Sequence, residues 1–393
     1  MNRAEAQAIV QAVIDPLPLD QFLGALGKSV LSVPGGAQHA RAALFGPDPA
    51  ATVLAGHSTH AGNLDCHAVT PQGDAPAPKP CASPEEFRAL IGAYHARDYS
   101  VRVPDVVPLA PSLARFARAL ELVLGAPVDA SLFWSRREAR AKVHYDDNDV
   151  IAIQLAGRKR WYTSTEPPLL HNKWEKSVMA VLPPERQQVT EMAPGDLLYV
   201  PRGTTHSVDS LEESLHLSIL VTPLTMRAAI GATLDHLSDL DRSLRETPGD
   251  LPAANHGEAP ADLRTRIGAA VERLLAQVRS PGFVDAAMQR HFSRFVGELP
   301  QLPIEPPAAP IGPGTLMEHM PTAIGHLIAF PQRLDFAQPG GHIALHPGAE
   351  PAMRFVIETP RFRVGDIPGL ADEVRVALVE RLVSSGFLRV AAS

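Results

Sequence analysis

The hydrophobic rhythm of the chain changes several times, and each change marks a region. Near the N-terminus the spacing is helical. Residues 4–14 predict a short helix, and over 112–124 Leu113, Phe116, Leu120 and Val123 recur three and four apart, with Gly125 to close the helix. Ser83-Pro84-Glu85-Glu86 reads as another helix start, with Ser83 as N-cap and Pro84 in the first turn. A brief strand is expected at 30–34, and the polar, Pro-rich stretch from His57 to about Ser83 is expected to be a surface loop. From Val128 the rhythm shortens. Apolar runs of strand length at 128–135, 150–155, 159–162, 197–200 and 215–221, separated by turn residues, predict a small two-sheet jelly roll. Helical periodicity returns over 226–297, for example at Ile267, Val271, Leu274 and Val278, and a Pro-rich linker follows at 298–314. Residues 315–393 mix short strands with a helix at 370–385, stopped by Gly386 and followed by a last strand at 387–390, an order that fits a small winged-helix-like module.

Composition narrows the setting. With 393 residues there is length for two or three domains and a large buried core. The net charge of −7 is not that of a protein that coats nucleic acid or an anionic membrane. Glu358, Asp366, Asp372 and Glu373 make the C-terminal module too acidic for a recognition helix that reads phosphates, so a protein-contact or structural role is expected there. Two cysteines, Cys66 and Cys81, do not make a disulfide framework. No apolar run is long enough to span a bilayer and the N-terminus lacks a signal-peptide core, so a cytoplasmic setting is expected.

The candidate chemistry lies in the jelly-roll region. In a strand, His144 and Asp146 of His-Tyr-Asp would point to one face. Sixty positions on, Pro194-Gly195-Asp196, the apolar run 197–200 and Pro201-Arg202-Gly203 form a turn-strand-turn that presents His206. Two imidazoles and one carboxylate on one side of a metal leave three positions open, the arrangement of non-haem Fe(II) oxygenases. Between the two motifs, Lys159 and Trp161 share one face of a short strand while Arg158 and Arg160 share the other. Lys159 is therefore the cation expected inside, where it could hold the far carboxylate of a metal-chelating 2-oxoglutarate.

HYDDNDVIAIQLAGRKRW, PGDLLYVPRGTTH and SLHLSI together resemble the ribosomal-oxygenase branch of the JmjC hydroxylases. GAPVDASLFWS resembles the strand before that family's metal motif, and FRVGDIPGLADEVRVALVERLVSSGFLRV its C-terminal winged helix. The resemblance implies a mainly β catalytic core, a double-stranded β-helix (cupin/JmjC jelly roll), in residues 1–225. It further implies an α-helical dimerisation region over 226–297, the linker 298–314, a winged-helix-like α+β domain over 315–393, and a homodimer. It assigns Fe(II) to His144, Asp146 and His206, the carboxylate of 2-oxoglutarate to Lys159, and the last coordination position to O2. The implied reaction is hydroxylation of a side chain in a protein or peptide, either a ribosomal protein or a natural-product precursor, with N-demethylation as a lesser outcome of the same chemistry.

The chain departs from the family pattern at the pocket. Ser131 and Phe133 stand where the family often has Asn and Tyr, and 136–142 replaces a Gly/Pro-rich loop. Ser131, Phe133 and Ser135 share a strand face and are expected to line the pocket, with Phe133 and Ser135 beside the co-substrate. Arg136, Arg137, Arg140 and Lys142 read either as a solvated loop or as a guide for an acidic peptide at the pocket mouth. His216 reads equally as a hydrogen-bonded core histidine or a pocket residue, and Ser218 is a weaker pocket candidate. His57, His60, Cys66 and His67 fit no standard structural zinc spacing and are expected to be ordinary loop residues. The other class of function open to this sequence is a metal-binding cupin without oxygenase activity, a peptide-binding or regulatory scaffold.

Overall fold

A computed structural model describes residues 1–391 apart from 37, 172–181, 248–260, 305 and 308. Parts of the expected helical region and of the Pro-rich linker therefore lie outside the described residues. The chain divides into two compact units, the first essentially Met1–Pro223 and the second chiefly Leu224–Gln301 with Gly325–Ser393. The second unit thus joins most of the expected helical region to most of the expected C-terminal module.

In the first unit the strands are β1 (Leu31–Val33), β2 (Asp65–His67), β3 (Ser100–Val103), β4 (Val128–Ser135), β5 (Asp149–Ala156), β6 (Lys159–Ser164), β7 (Gln187–Met192), β8 (Leu197–Val200), β9 (His206–Ser210) and β10 (Ser214–Val221). Seven of them form one sheet in the order β1-β8-β5-β10-β4-β3-β2, and the other three form a second sheet, β7-β6-β9. Neighbours pair antiparallel, and β4 runs beside β10 in unbroken register from Val128↔Val221 to Ser135↔Ser214. Side chains of both sheets meet in one apolar cluster that includes Val150, Ala152, Trp161, Leu198 and Val208, so the sheets face each other.

The larger sheet is covered on its other face by helices. The helix Arg3–Ile14 begins at Asn2, whose side chain accepts from Glu5 N while Glu5 accepts from Asn2 N, a complete capping box. Ser83 caps Pro84–His95 as its position predicts, and Pro111–Leu124 ends at Gly125 with φ of 60°. Val10, Ile14, Phe87, Phe116 and Leu120 of these helices join Ile151, Ile153, Leu217 and Ile219 of the sheet in one core. Sandwiched between helices and the second sheet, β5 is buried at seven consecutive positions and β8 at all four. That is why β8 reads as an unbroken apolar run and β5 as one interrupted only by Gln154 between Val150 and Ala156.

The segment 57–83 is not the simple loop its composition suggests. It contains the short helix His57–His60 and then β2, which pairs with β3 at the sheet edge. Three residues are too few to show an alternation, so nothing in the polar surroundings marks the strand.

One buried cation ties this unit together. The Arg41 guanidinium is fully buried and donates to the carbonyls of Val13 (2.6 Å), Asp15 (2.9 Å), Val33 (3.1 Å), Pro34 (2.9 Å) and Gly195. It joins the first helix, β1 and the Pro194-Gly195-Asp196 turn at a single point. Asp196 completes the joint by accepting from Gly35 N at 2.9 Å and Ala193 N at 2.9 Å. Gly195 has φ of 89°, and a Cβ there would lie 1.8 Å from the Gly36 carbonyl oxygen, so only glycine fits the turn.

The second unit begins with three helices, Met226–Leu240, Ala261–Val278 and Phe283–Glu298. It continues with β11 (Leu316–His319), β12 (His326–Phe330), β13 (Arg333–Gln338), β14 (Gly341–Leu345), β15 (Arg361–Arg363) and β16 (Leu388–Val390), and with helices Glu350–Glu358 and Asp372–Ser384. The strands form two small sheets, β12-β13-β14 and β15-β11-β16, and Phe336, Met353, Phe362, Val379 and Leu382 are buried. The helix expected at 370–385 is Asp372–Ser384. No described helix is long and apolar enough to cross a membrane.

Candidate active site

A cavity of about 890 Å³ opens inside the first unit, and alternation along the strands supplies its walls. β4 contributes Ser131, Phe133 and Ser135; β10 contributes His216, Ser218 and Leu220; β6 contributes Lys159 and Trp161; β9 contributes His206, Val208 and Ser210. In each case the contributing residues are two apart. Ser131, Phe133 and Ser135 thus lie where their shared face places them.

His144, Asp146 and His206 come together at this cavity, with one ligand-type atom from each lying within 4.8 Å of the others. Asp146 Oδ2 is 3.5 Å from His206 Nε2, and Asp146 Oδ1 is 4.0 Å from His144 Nε2. The expected strand at 144–146 is not there. His144 makes an isolated antiparallel bridge to His206, with N–H···O bonds of 2.9 and 2.7 Å, and Asp146 O accepts from Gly203 N at 2.8 Å. Asp147 and Asn148 are weak strand formers, and β5 begins only at Asp149. The loop is instead held against the turn that precedes β9. Gly203, with φ of 77°, lets that turn approach the Leu169 carbonyl, which a Cβ would meet at 1.9 Å. Asp149 fixes the same turn by accepting from Arg202 N and from the Tyr199 hydroxyl, each at 2.9 Å.

The imidazoles are set for coordination through Nε2. A carbonyl oxygen can only accept, so His144 Nδ1, 2.7 Å from Lys142 O, and His206 Nδ1, 2.9 Å from Thr204 O, carry the protons and donate. Each Nε2 lone pair is then left for the side facing Asp146, the usual tautomer of a metal-bound histidine. Burial pushes the His206 imidazole below its ordinary value, which keeps it neutral and able to ligate. Trp161 stacks on His206 with ring centroids 5.6 Å apart and 25° between planes, which fixes the ring. Two neutral nitrogens and one carboxylate oxygen, preset on one side of a cavity, are a donor set that fits a divalent iron ion.

Lys159 is 3 % exposed, on the inward face of β6, while Arg158 and Arg160 on the outer face pair with Glu212 and Glu191. Its Nζ donates to Ser135 Oγ at 2.9 Å, and Ser100 Oγ donates to the same oxygen at 2.9 Å. With both lone pairs of Ser135 Oγ engaged, its own proton is free to donate into the cavity. Among the described residues no carboxylate pairs with Lys159, and burial pushes its ammonium down to about 7. A buried cation in such surroundings is a strong receptor for an anionic group.

His67 is the cavity residue that sequence reasoning missed. It sits on β2, packs edge-on against Phe133 with centroids 5.8 Å apart, and is pushed down to about 4 by burial and by the charges of Lys159 and His144. Ser100 and Arg102 of β3 also line the cavity, and here a signal existed, because Ser100-Val101-Arg102-Val103 alternates. His57, His60, Cys66 and His67 do not gather. Among the described residues the only group of three or more metal-type donors is His144, Asp146 and His206.

The basic run 136–142 divides. Arg136 pairs with Asp98 at 2.7 Å, Arg137 with Glu138 at 3.8 Å and Arg140 with Asp209 at 3.7 Å, whereas Lys142 lines the cavity with Ala139 and Ala141. Arg136, Arg137 and Arg140 are thus paired, and Lys142 is the basic member of the run that lines the cavity.

Residues 107–228 match the JmjC domain family. Ribosomal oxygenase 1 of Rattus norvegicus is 27 % identical over 218 residues, which cover 50 % of this chain and 36 % of that protein. The ribosomal protein uL16 3-hydroxylase of Escherichia coli is 27 % identical over 183 residues, covering 44 % and 46 %. The chain thus spans less than half the length of these curated relatives. Among solved structures, a ribosomal oxygenase from Escherichia coli in complex with cobalt and 2-oxoglutarate aligns over 96 % of this chain and 99 % of that one, with a TM-score of 0.54 and 19 % identity. At that identity the likeness establishes the fold, a cupin/JmjC architecture on an antiparallel β core.

Proposed function

Because the chain carries a JmjC domain homologous to those of the ribosomal oxygenases, we propose that it is an Fe(II)- and 2-oxoglutarate-dependent oxygenase that hydroxylates a side chain of a protein or peptide. In this reading His144, Asp146 and His206 hold the iron, and Lys159 with Ser135 receives the far carboxylate of 2-oxoglutarate, Phe133 forming the wall beside it. The observation that carries the reading is the fully buried lysine in the same cavity as the three-donor cluster, without a carboxylate of its own among the described residues. A metal-binding scaffold would have no use for that cation.

Iron with 2-oxoglutarate and O2 supplies the oxidant that inserts one oxygen atom into an unactivated C–H bond of the substrate, with succinate and CO2 as co-products. The chain's own residues position and enclose. Lys142 O and Thr204 O orient the two imidazoles through Nδ1. Lys159 and Ser135 hold the co-substrate's far end. Trp161, Val208 and Leu220 supply the apolar part of the cavity wall, which limits the water at the reacting centre.

The substrate we propose is a protein or peptide, a ribosomal protein or a natural-product precursor, in keeping with the names of the relatives. Incubation with Fe(II), 2-oxoglutarate, O2 and candidate peptides should give a product heavier by one oxygen atom, with succinate formed in equal amount. Loss of a methyl group with no retained oxygen would instead assign demethylation. Consumption of neither co-substrate nor peptide would point to the scaffold.

We also propose a homodimer built on the helical region 226–297, with 298–314 as linker and 315–393 as a winged-helix-like domain that makes protein contacts. What supports the dimer is an apolar stripe facing solvent. Met226, Ile230 and Leu234 recur four apart and are exposed, as are Ile267, Val271, Leu275 and Val278. What supports the last domain is the helix Asp372–Ser384 leading directly into β16 of the β15-β11-β16 sheet. A cytoplasmic location belongs to the same reading.

A further inference from the structure

His216 is left over by the site as described so far. It lies on β10, directly across from Phe133 on β4, and a register shift between Leu215 and His216 in the pairing with β5 sets its direction. Phe133 stacks on its ring with centroids 4.9 Å apart and planes within 7°, and Trp161 meets it edge-on at 5.7 Å. The ring is therefore held on two sides, is 5 % exposed, and lines the cavity.

Its nitrogens are not equivalent. Nδ1 is sealed from solvent and has no hydrogen-bond partner. An N–H buried there would be an orphaned donor, which costs more than a buried lone pair without a donor. The imidazole proton is therefore assigned to Nε2, the nitrogen not sealed in this way on a ring that lines the cavity. Burial, with the charges of Lys159 and His67, holds the ring well below its ordinary value and hence neutral. Lys159 lines the same cavity as His216, and Ser135, its hydrogen-bond partner, lies two residues from Phe133 on the same face of β4.

From this arrangement we infer that His216 Nε2–H is a third hydrogen-bond donor, beside Lys159 and Ser135, to the carboxylate that the cavity binds farthest from the metal. The inference rests on the proposed co-substrate site. Its chemistry is complementary. A carboxylate has about four lone-pair directions, and an ammonium with one hydroxyl leaves some of them unfilled. Phe133 brings no hydroxyl to that wall, and the histidine stacked on it supplies a donor in the same neighbourhood.

The test compares two ligands on the Mn(II)-loaded full chain by calorimetry: 2-oxoglutarate, and 2-oxopentanoate, which has the same length and metal-chelating end but no far carboxylate. His216→Phe keeps the aromatic stack and removes the donor; His216→Gln keeps a donor without the stack. His216→Phe should lose about ten-fold in affinity for 2-oxoglutarate, the scale of one hydrogen bond to a charged group, and leave 2-oxopentanoate unchanged. His216→Gln should stay within about three-fold of the wild type for both. Equal losses for both ligands, or no loss for either, would overturn the role of His216 while leaving the co-substrate site standing. Failure of the wild type to prefer 2-oxoglutarate would overturn both.

Discussion

Asp146→Ala is expected to lower turnover by on the order of a thousand-fold or more while leaving the fold intact. The carboxylate is the only anionic member of the donor set, and without it two neutral imidazoles must hold a divalent ion alone. Folding should be spared because Asp146 is 36 % exposed and the ion pairs of its side chain among the described residues are with the two histidines. His144→Ala should behave in the same way, since its ring is 42 % exposed. The check is iron content, turnover and thermal unfolding measured on one preparation. A variant with wild-type iron and turnover would remove Asp146 from the site.

Lys159→Met should separate co-substrate from metal. Methionine fills most of the volume without the charge, so Fe(II) should remain bound while the 2-oxoglutarate dissociation constant rises about a hundred-fold, the scale of losing a buried charge-assisted contact. Equal loss of both ligands would contradict the assignment. The same residue predicts a pH dependence. Lys159 titrates near 7 in the fold against an ordinary value of 10.5. Between these values the unfolded chain binds the proton and the folded chain does not, so this residue's contribution to stability is complete above about 10.5 and is lost as pH falls through about 7. Lys159→Met should remove that slope. A bound carboxylate needs the ammonium form, so above pH 7 binding must take up a proton. Calorimetry in buffers of different ionisation enthalpy should show that uptake, and its absence would mean that Lys159 is already charged in the free protein.

What the sequence revealed and what it hid follow from how each element is stabilised. The helix Pro111–Leu124 was legible because burial imposes a period on its residues, and β4 and β8 because burial makes them mainly apolar runs of strand length. Lys159 was placed inside by the same alternation, flanked by two arginines that had to face out. β2, β7 and β9 carry no such mark in their hydrophobicity, since even the alternating buried positions of β9 are His206, Val208 and Ser210. They are short or half-exposed strands whose place is set by their partners' hydrogen bonds, and composition does not record those. His67 was lost with β2.

The donor cluster is a subtler case. The three side chains come together as the sequence leads one to expect, but for a partly different reason. His144 and Asp146 converge because a bridged loop is fastened to the turn before β9, not because a strand presents them on one face. The turn chemistry of Pro194-Gly195-Asp196 and Pro201-Arg202-Gly203 was therefore as informative as the ligands themselves. Gly195 and Gly203 each admit a carbonyl oxygen that a Cβ would exclude, and Arg41, whose role no local pattern indicates, fixes the first of these turns to the N-terminal helix.

The central claim is that one cavity holds Fe(II) and 2-oxoglutarate together. Its most direct test is the visible spectrum of the anaerobic full chain titrated with both. Chelation of the metal by the keto acid should produce a charge-transfer band that neither component gives alone, that is lost in Asp146→Ala, and that oxygen bleaches. A silent spectrum from protein that demonstrably contains Fe(II) would contradict it.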